Sequence, residues 1–135
     1  MLVDSHCHLD FDDFEGDLED IIEKAKEYNV STILNAGNNI GDIENQLKIS
    51  EKYPFVYTAA GVHTHNAAEY KGIKAQDIIE KTTHKKIVGI GECGLDYYYD
   101  YSPKDEQIEV FIEHIKAAQE TGLPLIIHNR DSDED

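Results

Sequence analysis

The sequence has 135 residues, 40% hydrophobic and 30% charged, which is the size and composition of one globular domain. Its formal net charge of −16 argues against a surface that grips nucleic acid through basic patches. No apolar run is long enough to span a bilayer, and the N-terminus lacks the basic and apolar regions of a secretory signal. The two cysteines are therefore expected to be free thiols in a cytoplasmic protein.

Short apolar or β-branched runs alternate with longer stretches of helical spacing along the chain. The runs predict five strands, at residues 2–6, 31–36, 55–62, 86–91 and 124–128. Between them, apolar residues recur at helical spacing and predict four helices. In chain order, these residues are Leu18, Ile21, Ile22 and Ala25; Ile43 and Leu47; Ile78 and Ile79; and Ile108, Phe111, Ile112, Ile115 and Ala118. The alternation indicates an α/β fold with a parallel sheet, in a single domain over residues 1–135.

The last predicted helix has readable ends. Ser102 suits the N-cap, Pro103 suits the first helical position, and Asp105 completes a capping-box pattern. Gly122 suits the C-terminal cap, and Pro124 prevents the helix from continuing.

Residues 89–96, GIGECGLD, match the pattern G-x-G-x-x-G, which can hold a dinucleotide pyrophosphate at the N-terminus of a helix. The context does not fit, because the next helix cannot begin much before Ser102. The acidic residue expected about twenty positions later would also fall inside that helix. The other interpretation is that Glu92 lies at the C-terminal end of a strand, where parallel α/β sheets carry their functional sites.

Histidines and charged residues recur at the other strand ends. They are Asp4, His6 and His8 in DSHCH, His63 and His65 in GVHTH, and His128 and Arg130 in IIHNR. Because side chains alternate along a strand, His6 and His8 face one side and Cys7 faces the other. Two such imidazoles can chelate one divalent ion, and Glu92 and His128 could complete that site or bridge two ions.

The neighbours of these residues suggest supporting roles. Asp4 lies on the same face as His6 and is predicted to orient a ligand histidine by accepting a hydrogen bond from the ring nitrogen that does not face the metal. Cys7 and Cys93 each adjoin a proposed ligand, so an extended backbone turns them away from the metal and predicts small, packed thiols. A zinc site that uses both cysteines is the alternative.

Four motifs, DSHCHLD, GVHTHNA, GIGECGLDYYY and PLIIHNRD, in this order, resemble those of the TatD-like metal-dependent hydrolases, which include TatD-type deoxyribonucleases. The resemblance runs from residue 3 to the last residue. It implies a TIM-like (β/α) barrel, and a hydrolase that cleaves DNA phosphodiesters with one or two divalent ions of magnesium, manganese or zinc. A complete barrel needs eight strands, so we expect an incomplete one here, with about five strands and four helices.

The resemblance also implies roles for individual residues. The implied metal ligands are His6, His8, Glu92 and His128, and the last two are also the implied catalytic residues. His63 and His65 match a motif that usually reads H-P-H, with Thr64 in place of the proline, and are expected at the substrate together with Arg130. Asp96 is expected to contact the metal ligands without binding the metal itself.

Tyr97 and Tyr98 could stack on bases of the DNA substrate, although packing within the fold explains them equally well. The family's remaining ligands, a histidine and an aspartate on later strands, are absent from this chain. The chain is therefore expected to be the N-terminal portion of a barrel, which self-associates or binds a complementing C-terminal half. Two other hypotheses stay open, a metal-dependent amide or lactone hydrolase of the same barrel class and a non-catalytic remnant.

Overall fold

Five parallel strands form one sheet, and their order across the sheet follows their order along the chain. The computed structural model describes residues 1–14 and 16–135. Within these residues, the strands are β1 (Leu2–Cys7), β2 (Val30–Asn35), β3 (Val56–Ala60), β4 (Ile87–Asp96) and β5 (Leu125–Arg130). The α-helices are α1 (Leu18–Glu27), α2 (Ile43–Lys52), α3 (Ala75–Lys81) and α4 (Lys104–Thr121). The predicted alternation of five strands and four helices is confirmed.

Apolar side chains of the helices cover the sheet in two main clusters. One cluster surrounds Ile22 of α1 and Ile33 of β2, and both side chains are buried. The other surrounds Ile78 of α3, Ile90 of β4 and Val110 of α4. These contacts fix the helices against the sheet and so determine where the polar side chains at the strand ends project. Among the described residues, no helix is long and apolar enough to cross a bilayer.

The prediction that β4 ends at residue 91 is wrong, because the strand continues to Asp96. Glu92 therefore lies within the strand and not at its C-terminal end. The extension depends on β5, whose residues pair with β4 from Cys93 to Asp96, after a register irregularity that begins at Ile90. The sequence around Gly91 resembles a turn locally, but hydrogen bonding to a strand more than thirty residues away keeps it extended.

The glycines of GIGECGLD allow two backbones to approach closely. Gly91 and Gly94 have φ angles of +129° and +136°, which disfavour any residue with a side chain. A Cβ atom at Gly91 would collide with the carbonyl oxygen of Ile126, and one at Gly94 would collide with that of His128. The pattern therefore serves strand pairing, and the rejection of a dinucleotide loop agrees with this geometry.

The N-terminus of α4 differs from the prediction by one residue. Pro103 is the N-cap, with an extended ψ of 143°, and the helix begins at Lys104. The Ser102 hydroxyl does not cap this helix; it donates to the carbonyl oxygen of His65 at 2.8 Å and accepts the N–H of Ala68 at 3.0 Å. The predicted C-terminal cap is confirmed, since Gly122 is left-handed with a φ of +71°.

The buried face of α4 only partly follows the predicted apolar stripe. Ala118 of that stripe is buried and Phe111 and Ile115 are half-buried, but Ile108 and Ile112 are exposed. The buried side chains are Gln107, Val110, Glu113, His114, Ala117 and Ala118. This face packs closely on β4 and on the 3-10 segment Thr64–Tyr70, where small side chains fit and polar ones meet backbone groups. Burial here follows hydrogen-bonding needs, which an apolar pattern does not reveal.

His114 is the fully buried polar link between α4 and the segment after β3. Its Nε2 atom accepts the backbone N–H of Val62 at 3.0 Å. Its Nδ1 atom donates to the Val110 carbonyl oxygen at 2.8 Å. These contacts require a neutral ring, and burial lowers the pKa of His114 below its ordinary value of 6.5.

The His114→Gln substitution tests this protonation state. Below pH 6.5 the unfolded chain binds a proton at His114 that the folded chain does not, so the wild type loses this stabilisation as pH falls towards the folded-state pKa. Glutamine keeps a donor and an acceptor but does not titrate. Urea unfolding should show the stability advantage of wild type over variant shrinking from pH 7 to pH 5. An advantage that is constant with pH would contradict a buried neutral histidine.

Candidate metal centre

The Glu92 carboxylate is buried at the centre of a group of histidine side chains. Its Oε2 atom lies 2.9 Å from His6 Nε2 and 3.2 Å from His8 Nε2. Its Oε1 atom lies 3.0 Å from His128 Nδ1 and 3.7 Å from His63 Nε2. Imidazoles brought by β1, β3 and β5 therefore surround one carboxylate of β4.

A second buried carboxylate, that of Asp96, lies further along β4. Its Oδ2 atom is 2.8 Å from His65 Nε2 and 2.9 Å from His128 Nε2. His128 therefore faces Glu92 with one ring nitrogen and Asp96 with the other. This single imidazole joins the two carboxylates into one polar centre.

The hydrogen-bonding capacity of these rings fits a bound cation. A neutral imidazole has one N–H donor, so His128 can satisfy only one of its two carboxylates. At His8, Nδ1 lies 3.1 Å from the Ala36 carbonyl oxygen and must donate to it, which leaves the Nε2 lone pair facing Glu92. Acceptors that face each other without water are unfavourable unless a proton or a cation lies between them. The donor set therefore suits a divalent metal ion.

Three groups of side chains each bring three ligand atoms within 4.8 Å of one another. The groups are His6, His8 and Glu92; His63, Glu92 and His128; and His65, Asp96 and His128. Since Glu92 and His128 each belong to two groups, the arrangement can hold one ion or neighbouring ions that share a ligand. Imidazole nitrogen and carboxylate oxygen are ordinary ligands of zinc and manganese.

The electrostatics of the centre keep both carboxylates and His63 in the forms that bind metal, whereas the contact with Glu92 raises the pKa of His8 in the absence of an ion. Burial opposes ionisation of Glu92, but the neighbouring imidazoles, chiefly His8 and then His63, outweigh it and lower its pKa to about 2. Burial of Asp96 is also outweighed, chiefly by the backbone N–H of Tyr99, and its pKa lies well below the usual range. Burial lowers the pKa of His63 to about 4. At neutral pH both carboxylates are ionised and His63 is neutral, as metal ligation requires.

Gln107, on the first turn of α4, holds the end of β4 in place. Its Nε2 atom donates to the carbonyl oxygens of Asp96 at 3.0 Å and Ser102 at 2.8 Å. Its Oε1 atom accepts the N–H of Asp96 at 2.8 Å and the hydroxyl of Thr64 at 2.6 Å. Sequence reasoning missed this residue, and a lone glutamine at the start of a helix carries no signal that would have identified it.

Three residues make contacts that the sequence did not predict. His65, expected at the substrate, contacts the Asp96 carboxylate directly. Asp96, expected behind the ligands, is itself within reach of two imidazoles, so it can serve as a ligand. His63, also expected at the substrate, is buried beside Glu92.

Two further candidates lie outside the ligand groups. The Asp4 carboxylate accepts the backbone N–H of His6 at 3.1 Å, and not a histidine ring as predicted. A short acidic side chain readily accepts the backbone N–H two residues further along the chain, and Asp4 does so here. The Arg130 guanidinium lies 4.0 Å from the centroid of the Tyr98 ring.

Both cysteines are packed thiols, as predicted. Cys7 packs in the cluster around Ile22, and Cys93 is fully buried. Burial raises the pKa of each thiol to about 12, so neither supplies the thiolate that zinc binds. Among the described residues, none of the ligand groups contains a cysteine.

Comparisons with known proteins agree with this chemistry. The model of the TatD related DNase family matches residues 3–135. The chain is 44% identical over 135 residues to the uncharacterized metal-dependent hydrolase YabD of Bacillus subtilis, covering 100% of this chain and 53% of that protein. It is 31% identical over 133 residues to the 3′-5′ ssDNA/RNA exonuclease TatD of Escherichia fergusonii, covering 98% and 51%.

The crystal structure of YjjV, a TatD homologue from Escherichia coli K12, matches this fold with a TM-score of 0.82 and 28% identity. The match covers 97% of this chain and 51% of that one, which confirms the predicted α/β architecture as part of the barrel of metal-dependent hydrolases. The chain spans about half the length of the relatives that it matches. By its motifs, its fold and a family match along nearly its whole length, this chain belongs to the TatD related DNase family.

Proposed function

We propose that this chain carries the metal-binding part of a divalent-metal-dependent hydrolase that cleaves phosphodiester bonds in DNA. The observation that carries the proposal is His128, whose two ring nitrogens face the Glu92 and Asp96 carboxylates at 3.0 and 2.9 Å. Such an arrangement is suited to cations shared between two carboxylates. The names of two relatives, a metal-dependent hydrolase and a 3′-5′ ssDNA/RNA exonuclease, support the reaction class and the substrate.

The proposed metal ligands are His6, His8, Glu92 and His128, for one or two ions. The three overlapping groups of ligand atoms support a second ion, for which His65 and Asp96 are the additional donors. Because imidazole nitrogens outnumber carboxylates, we favour zinc or manganese over magnesium, which prefers oxygen ligands.

The proposed chemistry divides between the ion and the chain. A divalent ion, when bound, supplies Lewis-acid polarisation of a phosphoryl oxygen and an activated water. Glu92 and His128 act as the catalytic residues by binding the ion at the position where it meets the phosphate of the substrate. Neutral His63 can donate a hydrogen bond to a substrate oxygen, and Arg130 can form a paired hydrogen bond with a phosphate.

The open edges of the sheet support a complementing partner. We propose that residues 1–135 are the N-terminal portion of a (β/α)8 barrel whose other half, or a second copy, covers these edges. β1 and β5 are the edge strands, and Leu2 on β1 and Ile127 on β5 are more than half exposed. Ile108 and Ile112 are exposed on α4. An uncovered apolar edge favours pairing with another chain or segment.

The cytoplasmic location stays a prediction.

Calorimetric titration with manganese tests the ligand assignment. The Glu92→Gln substitution should weaken manganese binding by at least about tenfold, because Glu92 belongs to two of the three ligand groups. The matched control is Glu51→Gln, the same chemical change at an exposed carboxylate whose partner is His84. Equal manganese affinity in the wild type and in Glu92→Gln would contradict the assignment.

Hydrolysis of an end-labelled single-stranded oligonucleotide tests the proposed reaction. The purified chain should cleave it with manganese and not with chelator, and Glu92→Gln should lower the rate by about a hundredfold or more. Glu51→Gln should cleave at the wild-type rate. Metal-dependent hydrolysis of an amide or lactone panel, with none of the oligonucleotide, would replace this proposal with the alternative substrate class. Binding of manganese without turnover of any substrate would overturn catalysis by this chain alone.

A further inference from the structure

A pair of stacked tyrosines lies immediately after β4. The ring centroids of Tyr99 and Tyr101 are 5.3 Å apart, and their planes differ by 22°. Tyr99 is 37% exposed and Tyr101 is 64% exposed. Among the described residues, neither hydroxyl has a hydrogen-bond partner, and neither residue belongs to an apolar cluster. These two residues are called the tyrosine stack below.

The tyrosine stack begins at the metal centre. The His65 ring lies 4.8 Å from the Tyr101 ring and 5.5 Å from the Tyr99 ring, between centroids. The same His65 ring contacts Asp96 Oδ2 at 2.8 Å. Asp96 Oδ1 also accepts the backbone N–H of Tyr99 at 3.0 Å. The carboxylate of the centre therefore holds both the imidazole and the start of the aromatic segment, so the tyrosine stack extends from a ligand group into solvent.

The tyrosines on the N-terminal side of this segment are occupied by other groups. The Tyr97 hydroxyl donates to Asp135 at 2.8 Å, and Lys104 Nζ lies 4.0 Å from the Tyr97 ring centre. The Arg130 guanidinium lies over Tyr98 at 4.0 Å. Tyr97 therefore packs within the fold, and the Tyr98 ring is covered by Arg130. The sequence allowed base stacking at these two residues, but the exposed end of the tyrosine stack is better suited to bind a base.

Cations accompany the tyrosine stack in a chain of net charge −16. Arg130 lies 4.7 Å from the Tyr99 ring as well as over Tyr98, whereas Lys104 lies over Tyr97, outside the tyrosine stack. Aromatic faces interleaved with Arg and Lys are the combination that binds single-stranded nucleic acid, since bases stack on the rings while cations meet the phosphates. Stacking needs no broad basic surface, which is consistent with the acidic composition.

We propose that Tyr99 and Tyr101 form a stacking platform for unpaired bases of a nucleic-acid strand whose phosphate enters the metal centre. The inference rests on the proposed function and deepens it, because it names the part of the substrate that is bound beside the centre. A base stacks on Tyr101, the more exposed end of the tyrosine stack, and Arg130 faces the neighbouring phosphate. Duplex DNA keeps its base faces covered, so the platform selects single strands.

A tryptophan reporter tests contact with a base directly. The sequence contains no tryptophan, so Tyr101→Trp provides the only indole emission in the chain. Titration with a cleavage-resistant phosphorothioate oligothymidine, in manganese buffer, should quench this emission. Tyr28→Trp is the matched control, since Tyr28 is 75% exposed at the end of α1, away from the centre. Quenching equal to that of the control would overturn the platform.

Affinity measurements by fluorescence anisotropy test the energetic contribution. Tyr101→Ala should weaken binding of the labelled oligothymidine by about tenfold, while Tyr101→Phe, which keeps the aromatic face, should stay within about twofold of the wild type. Tyr28→Ala should bind like the wild type, and all variants should titrate manganese normally. A duplex of the same length should bind more weakly and should not distinguish Tyr101→Ala from the wild type.

The outcomes separate this inference from the proposed function. Unchanged oligothymidine affinity in Tyr101→Ala, an equal loss in Tyr101→Phe, or no binding by the wild type overturns the platform. Hydrolysis of DNA together with unchanged affinity in Tyr101→Ala overturns the platform alone. Tyrosine-dependent binding without metal-dependent hydrolysis overturns the proposed function and supports the platform.

Discussion

The structure depends on two buried carboxylates that remain ionised on a single strand. Glu92 and Asp96 lie in an acidic chain, where further buried negative charge is unfavourable unless donors or cations meet it. Histidine rings brought by three other segments, together with backbone N–H groups after β4, meet that need. The same requirement explains why the centre suits a divalent ion, since a neutral His128 has one N–H for two carboxylates and a neutral His8 donates its N–H to the Ala36 carbonyl oxygen.

The backbone makes this contact possible through glycine. Gly94 pairs with His128 across the sheet, and His128 reaches Glu92 and Asp96, two residues on either side of Gly94. A side chain at Gly94 would collide with the His128 carbonyl oxygen and push the two strands apart. The close approach of β4 and β5 therefore places one imidazole between two carboxylates. Gln107 adds a clamp from α4, by binding both the N–H and the carbonyl of Asp96.

The surroundings of the centre explain how an acidic protein could act on a polyanion. Over most of the chain, carboxylates outnumber basic residues and would repel phosphate. The centre opposes this repulsion locally with its ligands for cations and with Arg130, while the tyrosine stack offers attraction that does not depend on charge. Recognition and chemistry would therefore be concentrated on one small area at the ends of β4 and β5.

The sequence by itself determined the order of strands and helices, the H-x-H pair of β1, and the histidine and carboxylate types that gather at the centre, because periodicity and spacing are local properties. The tertiary structure alone decided where β4 ends, since pairing with β5 keeps Cys93 to Asp96 extended and Gln107 holds Asp96. It also decided that His65 contacts the Asp96 carboxylate and that Asp4 hydrogen-bonds to the main chain. Ring directions and pair distances depend on segments far apart in sequence, so no local pattern could supply them.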